Sequence, residues 1–139
     1  MAAAAPRRIE IVPWGFWKSE SGAQTRNQGS SQFGGGWTQT NNNGNSVSWD
    51  VLIDSGTWAI DVIYSRQSSS GILDVSLGGS SVGTIDMYGV AGNVVGTISG
   101  IAVAAAGYYD LTAAVNGKNA SSTGYRKYLE LIVCRRTGA

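Results

Sequence analysis

The sequence predicts an all-β fold: a two-sheet antiparallel β-sandwich of about eight strands behind an irregular N-terminal arm. Three observations carry that reading. Ile and Val total 22 against 6 Leu, a balance that favours pleated strands over helices. From residue 46 onward, apolar residues alternate with polar ones in run after run. Gly, at 20 of 139 residues, gathers with Ser and Asn between those runs, where turns need it. No stretch shows helical periodicity. A chain of 139 residues is one domain's worth of sequence and can bury roughly two thirds of the surface it exposes when unfolded.

The elements follow in order. Residues 1–45 lack regular periodicity, and residues 19–45 are mostly Ser, Gly, Gln, Asn and Thr, including Gly34-Gly35-Gly36 and Asn41-Asn42-Asn43. Such a stretch cannot cover a core by itself, so it is expected as an extended arm. Trp14, Phe16, Trp17, Phe33 and Trp37 punctuate it. Each ring can bury roughly 150–250 Å², either on a partner surface or back on its own domain. The sandwich is expected over residues 46–137. Val47, Trp49, Val51 and Ile53 share one face of the first strand, and Trp58, Ile60, Val62 and Tyr64 one face of the second. Leu73, Val75 and Leu77 follow, then a Gly78-Gly79-Ser80-Ser81 turn and a returning strand to Met87, which reads as a hairpin. Val94 to Ile98 and Ile101 to Val103 are weaker strands. Tyr109, Leu111, Ala113 and Val115 alternate up to an Asn116-Gly117 turn, and Leu129, Leu131 and Val133 are expected on the inner face of the last strand. Trp49, Trp58 and Tyr64 are expected in the core. The strand count suits a jelly roll.

Composition excludes much chemistry. With no His there is no Ser-His-Asp triad and no His metal site. One Cys allows neither an internal disulfide nor a zinc ribbon, and Cys134 is expected as a structural thiol. Asn116-Gly117-Lys118-Asn119 fails the phosphate-loop pattern. Asp61, Asp74 and Asp86 stand one per strand among apolar neighbours, so they point to solvent rather than pairing as catalytic acids. No catalytic residue, metal or cofactor is assigned, and the chain is read as non-enzymatic. A net charge of +1 gives no electrostatic reason to expect nucleic acid. The longest small-apolar run, Ile101 to Ala106, is far short of a membrane span. Met1 to Ala5 precede Arg7-Arg8, the reverse of a signal peptide's order, so a cytosolic origin is expected. Two basic clusters, Arg7-Arg8 and Arg135-Arg136, would form one patch if the termini lie together. Arg7, Arg8 and the five arm aromatics are the candidate partner-binding residues. Tyr88 and Tyr125 remain available to face a ligand.

The run from Ser55 through Gly56-Thr57-Trp58 to Ser65, then Gly71 to Gly79 and Val82-Gly83-Thr84-Ile85, resembles the strand signature of jelly-roll carbohydrate-binding modules. Gly107-Tyr108-Tyr109-Asp110-Leu111 is similar to their Gly-x-His-x-Leu strand, with Tyr109 at the His position. The segment Asn116 to Tyr125, closing on a strand that ends in Arg135-Arg136, is similar to modules of tailed-phage head-fibre, decoration and tail-fibre proteins. The resemblance covers about residues 46–136 and implies a jelly roll. It also implies a virion structural protein, a capsid decoration (cement) protein that stabilises the shell of a tailed phage. The partner would then be the major capsid protein or another virion protein. The expected assembly is a homotrimer, made in the host cytoplasm and located in the virion, with neither nucleic acid nor membrane as partner. The other function it implies is a glycan- or receptor-binding module of a phage fibre or of carbohydrate-binding type.

Overall fold

Alternation decides which residues meet inside, and here it closes two sheets on each other. The computed structural model describes residues 7–28 and 36–139, which form eleven strands and no helix. One sheet runs β3 (Thr25–Gln28), β4 (Gly36–Thr40), β11 (Lys127–Gly138), β6 (Gly56–Arg66) and β9 (Gly92–Val103), with β1 (Arg8–Ile11) also paired to β11. The other runs β2 (Ser19–Ser21), β5 (Ser46–Ile53), β10 (Gly107–Val115), β7 (Ile72–Leu77) and β8 (Ser80–Asp86). Every named pairing is antiparallel. Successive strands mostly cross between the sheets, which is the jelly-roll arrangement expected from the sequence. Among the described residues no helix is long and apolar enough to cross a membrane.

The core lies between the sheets. Val47, Trp49, Val51 and Ile53 face Trp58, Ile60, Val62 and Tyr64 across it, with Leu73, Val75 and Leu111 also buried. Both indoles satisfy their N–H at the core's rim: Trp49 Nε1 donates to Gly15 O at 3.2 Å and Trp58 Nε1 to Asp54 O at 2.9 Å. The expected hairpin is β7–β8, where Leu77 pairs with Ser80 around Gly78-Gly79. Both glycines have positive φ, 61° and 85°, the backbone that a two-residue turn between twisted strands requires.

Two bulges alter the pattern. The two weak strands expected over residues 94–103 are one strand, β9, which bulges between its Trp58–Ile101 and Ile60–Ile98 pairs. Gly100 takes the left-handed conformation there, at φ 69°, and restores the inward face for Ile101 and Val103. On β11 the register shifts between Leu129 and Leu131. The inward face expected to continue through Leu131 passes instead to Ile132 and Cys134, and Leu131 is half-buried. Glu130 sits at that shift. It is buried, and burial holds its carboxyl above the usual carboxylate range.

An irregular arm is expected over residues 1–45, of which 7–28 and 36–45 are described. Its described part supplies β1 and β3–β4 to one sheet and β2 to the other. These strands are short, and β2 is exposed at all three positions. Backbone pairing to β5 and β11 holds them, and Ile11 of β1 and Thr38 and Thr40 of β4 are buried as well. Residue 46 therefore marks no boundary in the sheets. At the seam, Lys127 pairs with Thr40 of β4 and is 0% exposed. Its Nζ crosses the core to donate to Ala113 O at 3.1 Å. Desolvation lowers its pKa to about 7.

Candidate functional site

At one end of the sandwich three connections meet: residues 67–71 between β6 and β7, residues 87–91 between β8 and β9, and residues 116–126 between β10 and β11. The middle of this arrangement is the 67–71 segment. On one side it forms a bridge from Gln67 to Tyr88, and Gly89 N donates to Gln67 O at 3.3 Å. On the other, Ser70 bridges to Arg126, Arg126 N donates to Ser69 O at 2.8 Å and Thr123 N to Ser68 O at 3.0 Å. The buried Ser122 hydroxyl donates to Ser70 O at 2.7 Å and accepts from Gly124 N at 3.3 Å. The connection carrying Tyr88 and the one carrying Tyr125 are thus fastened to a common strip of main chain.

Side chains complete the fastening. The Asp86 carboxylate accepts from Tyr88 N at 3.0 Å and from Asn119 Nδ2 at 2.8 Å, tying the 87–91 turn to the 116–126 loop. Asn119 Oδ1 accepts from Ser121 N at 2.9 Å, and Asn43 Oδ1 from Gly117 N at 2.8 Å. Arg66 Nε donates to Val90 O at 2.9 Å, and Arg126 bonds to Gln67 and to Gln39. Lys118 Nζ lies 5.1 Å from the centroid of the Tyr125 ring, a cation–π distance. The loop end thus carries two half-buried tyrosines, the Arg66 and Arg126 guanidinium groups, the Lys118 ammonium and hydrogen-bonded amides. Among the described residues no group of three or more Asp, Glu, Cys or His side chains could hold a metal ion. The arrangement can stack an apolar ligand face on a tyrosine and meet its hydroxyls with polar side chains.

The other candidate residues go elsewhere. Trp14, Phe16 and Trp17 lie between β1 and β2 at the side of the sandwich. Trp17 is 41% exposed, and its ring is covered by Arg26, 3.7 Å from the centroid, which also pairs with Glu20; this aromatic packs on its own domain. Phe16 is 91% exposed. Phe33 lies outside the described residues, and Trp37 is placed only as a backbone position on β4, opposite Asn27. The two basic clusters do meet, because Arg8 lies opposite Arg135 in the β1–β11 ladder. Their charge is largely matched: Arg7 pairs with Asp54, Arg8 with Glu10 and Arg135 with Asp61. The Arg135 guanidinium holds the Asp61 carboxyl below its ordinary range, with help from Thr97. Asp74 sits in the opposite sheet, held by Ser81 and Asn116, so Asp61 and Asp74 form no acid pair. Cys134 is buried, which pushes its thiol up to about 12, as a structural thiol requires.

Sequence reasoning named Tyr88 and Tyr125 but missed Asn119, Lys118, Arg66 and Arg126 as their companions. Lys118, Asn119 and Arg126 share the 116–126 connection with Tyr125, whereas Arg66 ends β6, and nothing local in the sequence joins them to Tyr88.

No protein-family model and no curated protein matches this chain. Solved structures do. The chain is similar to part of a Paenibacillus xanthan lyase (TM-score 0.73, 23% identity), covering 87% of itself but 12% of that enzyme. It is similar over nearly whole lengths to two carbohydrate-binding modules. One is a CBM36 in complex with calcium and xylotriose (TM-score 0.68, 21% identity, 89% of this chain and 97% of that one). The other is the CBM36-1 domain of a multidomain xylanase from the hindgut metagenome of Trinervitermes trinervoides (TM-score 0.73, 18% identity, 96% and 100%). At these identities the likeness shows the shared jelly-roll fold.

Proposed function

We propose that the chain is a non-catalytic glycan-binding module that takes its ligand at the loop end. The observation that carries this reading is the joining of the Tyr88 and Tyr125 connections to one strip of main chain, with Lys118, Asn119, Arg66 and Arg126 around them. Sugars offer an apolar C–H face and a rim of hydroxyls, and this end offers aromatic faces and a rim of amides and cations. A fixed floor lowers the ordering cost of binding. Neighbours that are themselves carbohydrate-binding modules favour this reading over capsid decoration. Binding to an attached surface glycan or a free oligosaccharide uses the same groups.

The test is a glycan array followed by isothermal titration of the best ligand, with xylotriose among the probes. Saturable binding is expected, weakened about tenfold or more by Tyr125→Ala and little changed by Asp61→Asn on the far face. An array silent across plant, bacterial and algal glycans would overturn the reading, as would binding that Tyr125→Ala and Tyr88→Ala both leave intact.

A further inference from the structure

The side of the sandwich between β1 and β5 carries an unfinished edge. Among the described residues β2 pairs only with Ser46–Ser48 of β5, and β1 is paired along one edge, to β11. Beyond Ser48, β5 therefore faces the free edge of β1 across a groove of about 270 Å³ lined by Ile9, Ile11, Phe16, Trp49, Val51 and Leu52, with Arg7 at one end.

Main-chain direction along β5 can be read from its neighbours. Val115 N donates to Asn45 O, while Asp110 O accepts from Gly78 N on the β7 side. Odd-numbered residues of β10 thus aim at β5, and the odd-numbered residues of β5 opposite them aim back. Even-numbered β5 residues aim the other way, as Ser48 O does in accepting from Lys18 N at 2.7 Å. Asp50 and Leu52 accordingly turn their N–H and C=O groups into the groove, about 6.8 Å apart along the strand. That spacing is the repeat of another extended chain, and an open strand edge is a template for one.

The rim matches. Phe16 projects from the groove at φ 54°, a conformation that a bulky side chain rarely adopts. Leu52 is 43% exposed, and its cross-strand partner Tyr108 is 76% exposed, so apolar surface continues from the groove onto the outer face. The nearby charges cancel to within one: Arg7 pairs with Asp54 and Arg8 with Glu10, and Lys18 is shared between Asp50 and Asp110. The occupant that complements this rim is uncharged.

We infer that the groove docks an extended, uncharged segment of a partner polypeptide. That segment adds as a strand to β5: its main chain bonds to Asp50 and Leu52, and an apolar side chain packs against Phe16. This is strand addition to a sheet edge, in which main-chain bonds supply affinity and alternate side chains supply selectivity. A compact apolar ligand would leave the β5 main-chain groups unmatched. The site is separate from the loop end and stands whether or not that end binds glycan.

The experiment uses the full chain and a fluorescein-labelled Thr-Val-Thr-Val-Thr peptide, read by fluorescence polarisation. Two further peptides carry N-methyl groups on one or the other alternate set of amides. The unmodified peptide is expected to bind saturably. One methylated set should lose about tenfold or more in affinity and the other far less, since only alternate amides face β5. Phe16→Ala and Leu52→Lys should each weaken binding about tenfold, whereas Tyr125→Ala should leave it unchanged. No saturable binding up to millimolar protein, equal loss from both methylated sets, or indifference to Phe16→Ala would each overturn the inference. Phe16 and Leu52 are surface positions, and an unchanged thermal melt of each variant separates lost binding from lost fold.

Discussion

Residues 46–138 and residues 7–45 enter the same two sheets by different physics. The later strands are long and bury an alternating face; β5 puts Val47, Trp49, Val51 and Ile53 into the core. The earlier strands are three to five residues long, and β2 buries nothing. Main-chain pairing along the edges of the longer strands joins them to the sheets, with Ile11 of β1 also in the core. A polar segment without periodicity can thus be part of a sandwich, provided a neighbour offers main-chain partners. The same contrast explains the groove: where the N-terminal segment leaves β5 after Ser48, the edge it would have covered stays open among the described residues.

If burial holds one region and pairing the other, substitutions should separate them by size of effect. The largest is expected in the later strands. Trp58 is buried with its N–H bonded to Asp54 O, and Trp58→Ala should cost about 3–5 kcal/mol in a urea titration. A loss below about 1 kcal/mol would break the distinction.

The next effect lies at the seam. Lys127 has a folded pKa lowered to about 7 from 10.5. Between those values the unfolded chain holds the proton that the folded chain has lost, so stability rises with pH there. A gain of roughly 2 kcal/mol is expected between about pH 7 and pH 9. Above pH 9 the trend turns, because burial raises the pKa of Cys134 and of Tyr64 and Tyr128, and groups shifted that way lose stability as the unfolded forms ionise. Lys127→Met should flatten the rise and raise stability below pH 7. A rise that persists in Lys127→Met would assign it to other groups.

The smallest effect belongs to the N-terminal segment. Phe16→Gly should stabilise the chain by about 1 kcal/mol, because glycine accepts the left-handed backbone that Phe16 strains to hold. A destabilised Phe16→Gly variant would mean that the exposed ring contributes packing.

The sequence made the later strands legible because each carries its own alternation, and Trp49, Trp58 and Tyr64 land in the core as that pattern requires. β2 was illegible because Ser19-Glu20-Ser21 has no apolar face, and β1 because its alternation, Ile9 and Ile11, spans only four residues; their strand state is dictated by partners distant in sequence. The inward face of β11 was misread past Leu129, since a bulge of one residue inverts every later side chain. The bulge on β9 had a local signal, the isolated Gly100, whereas β11 offers none at Glu130. Lys127 could not be found as a core residue, because burying a lysine depends on the Ala113 carbonyl waiting across the sheets. Of the loop end, the tyrosines were visible as unassigned aromatics. Their convergence was not, because it runs through the hydrogen bonds of residues 67–71.

The central claim is that the loop end, and not the side groove, receives the glycan. An amide chemical-shift titration of the labelled chain with its best array ligand tests it directly. Perturbations confined to residues 66–71, 86–91 and 116–126 are predicted, with Asp50 and Leu52 unmoved. Perturbations centred on β1, Phe16 and the open edge of β5, with the loop end silent, would contradict it.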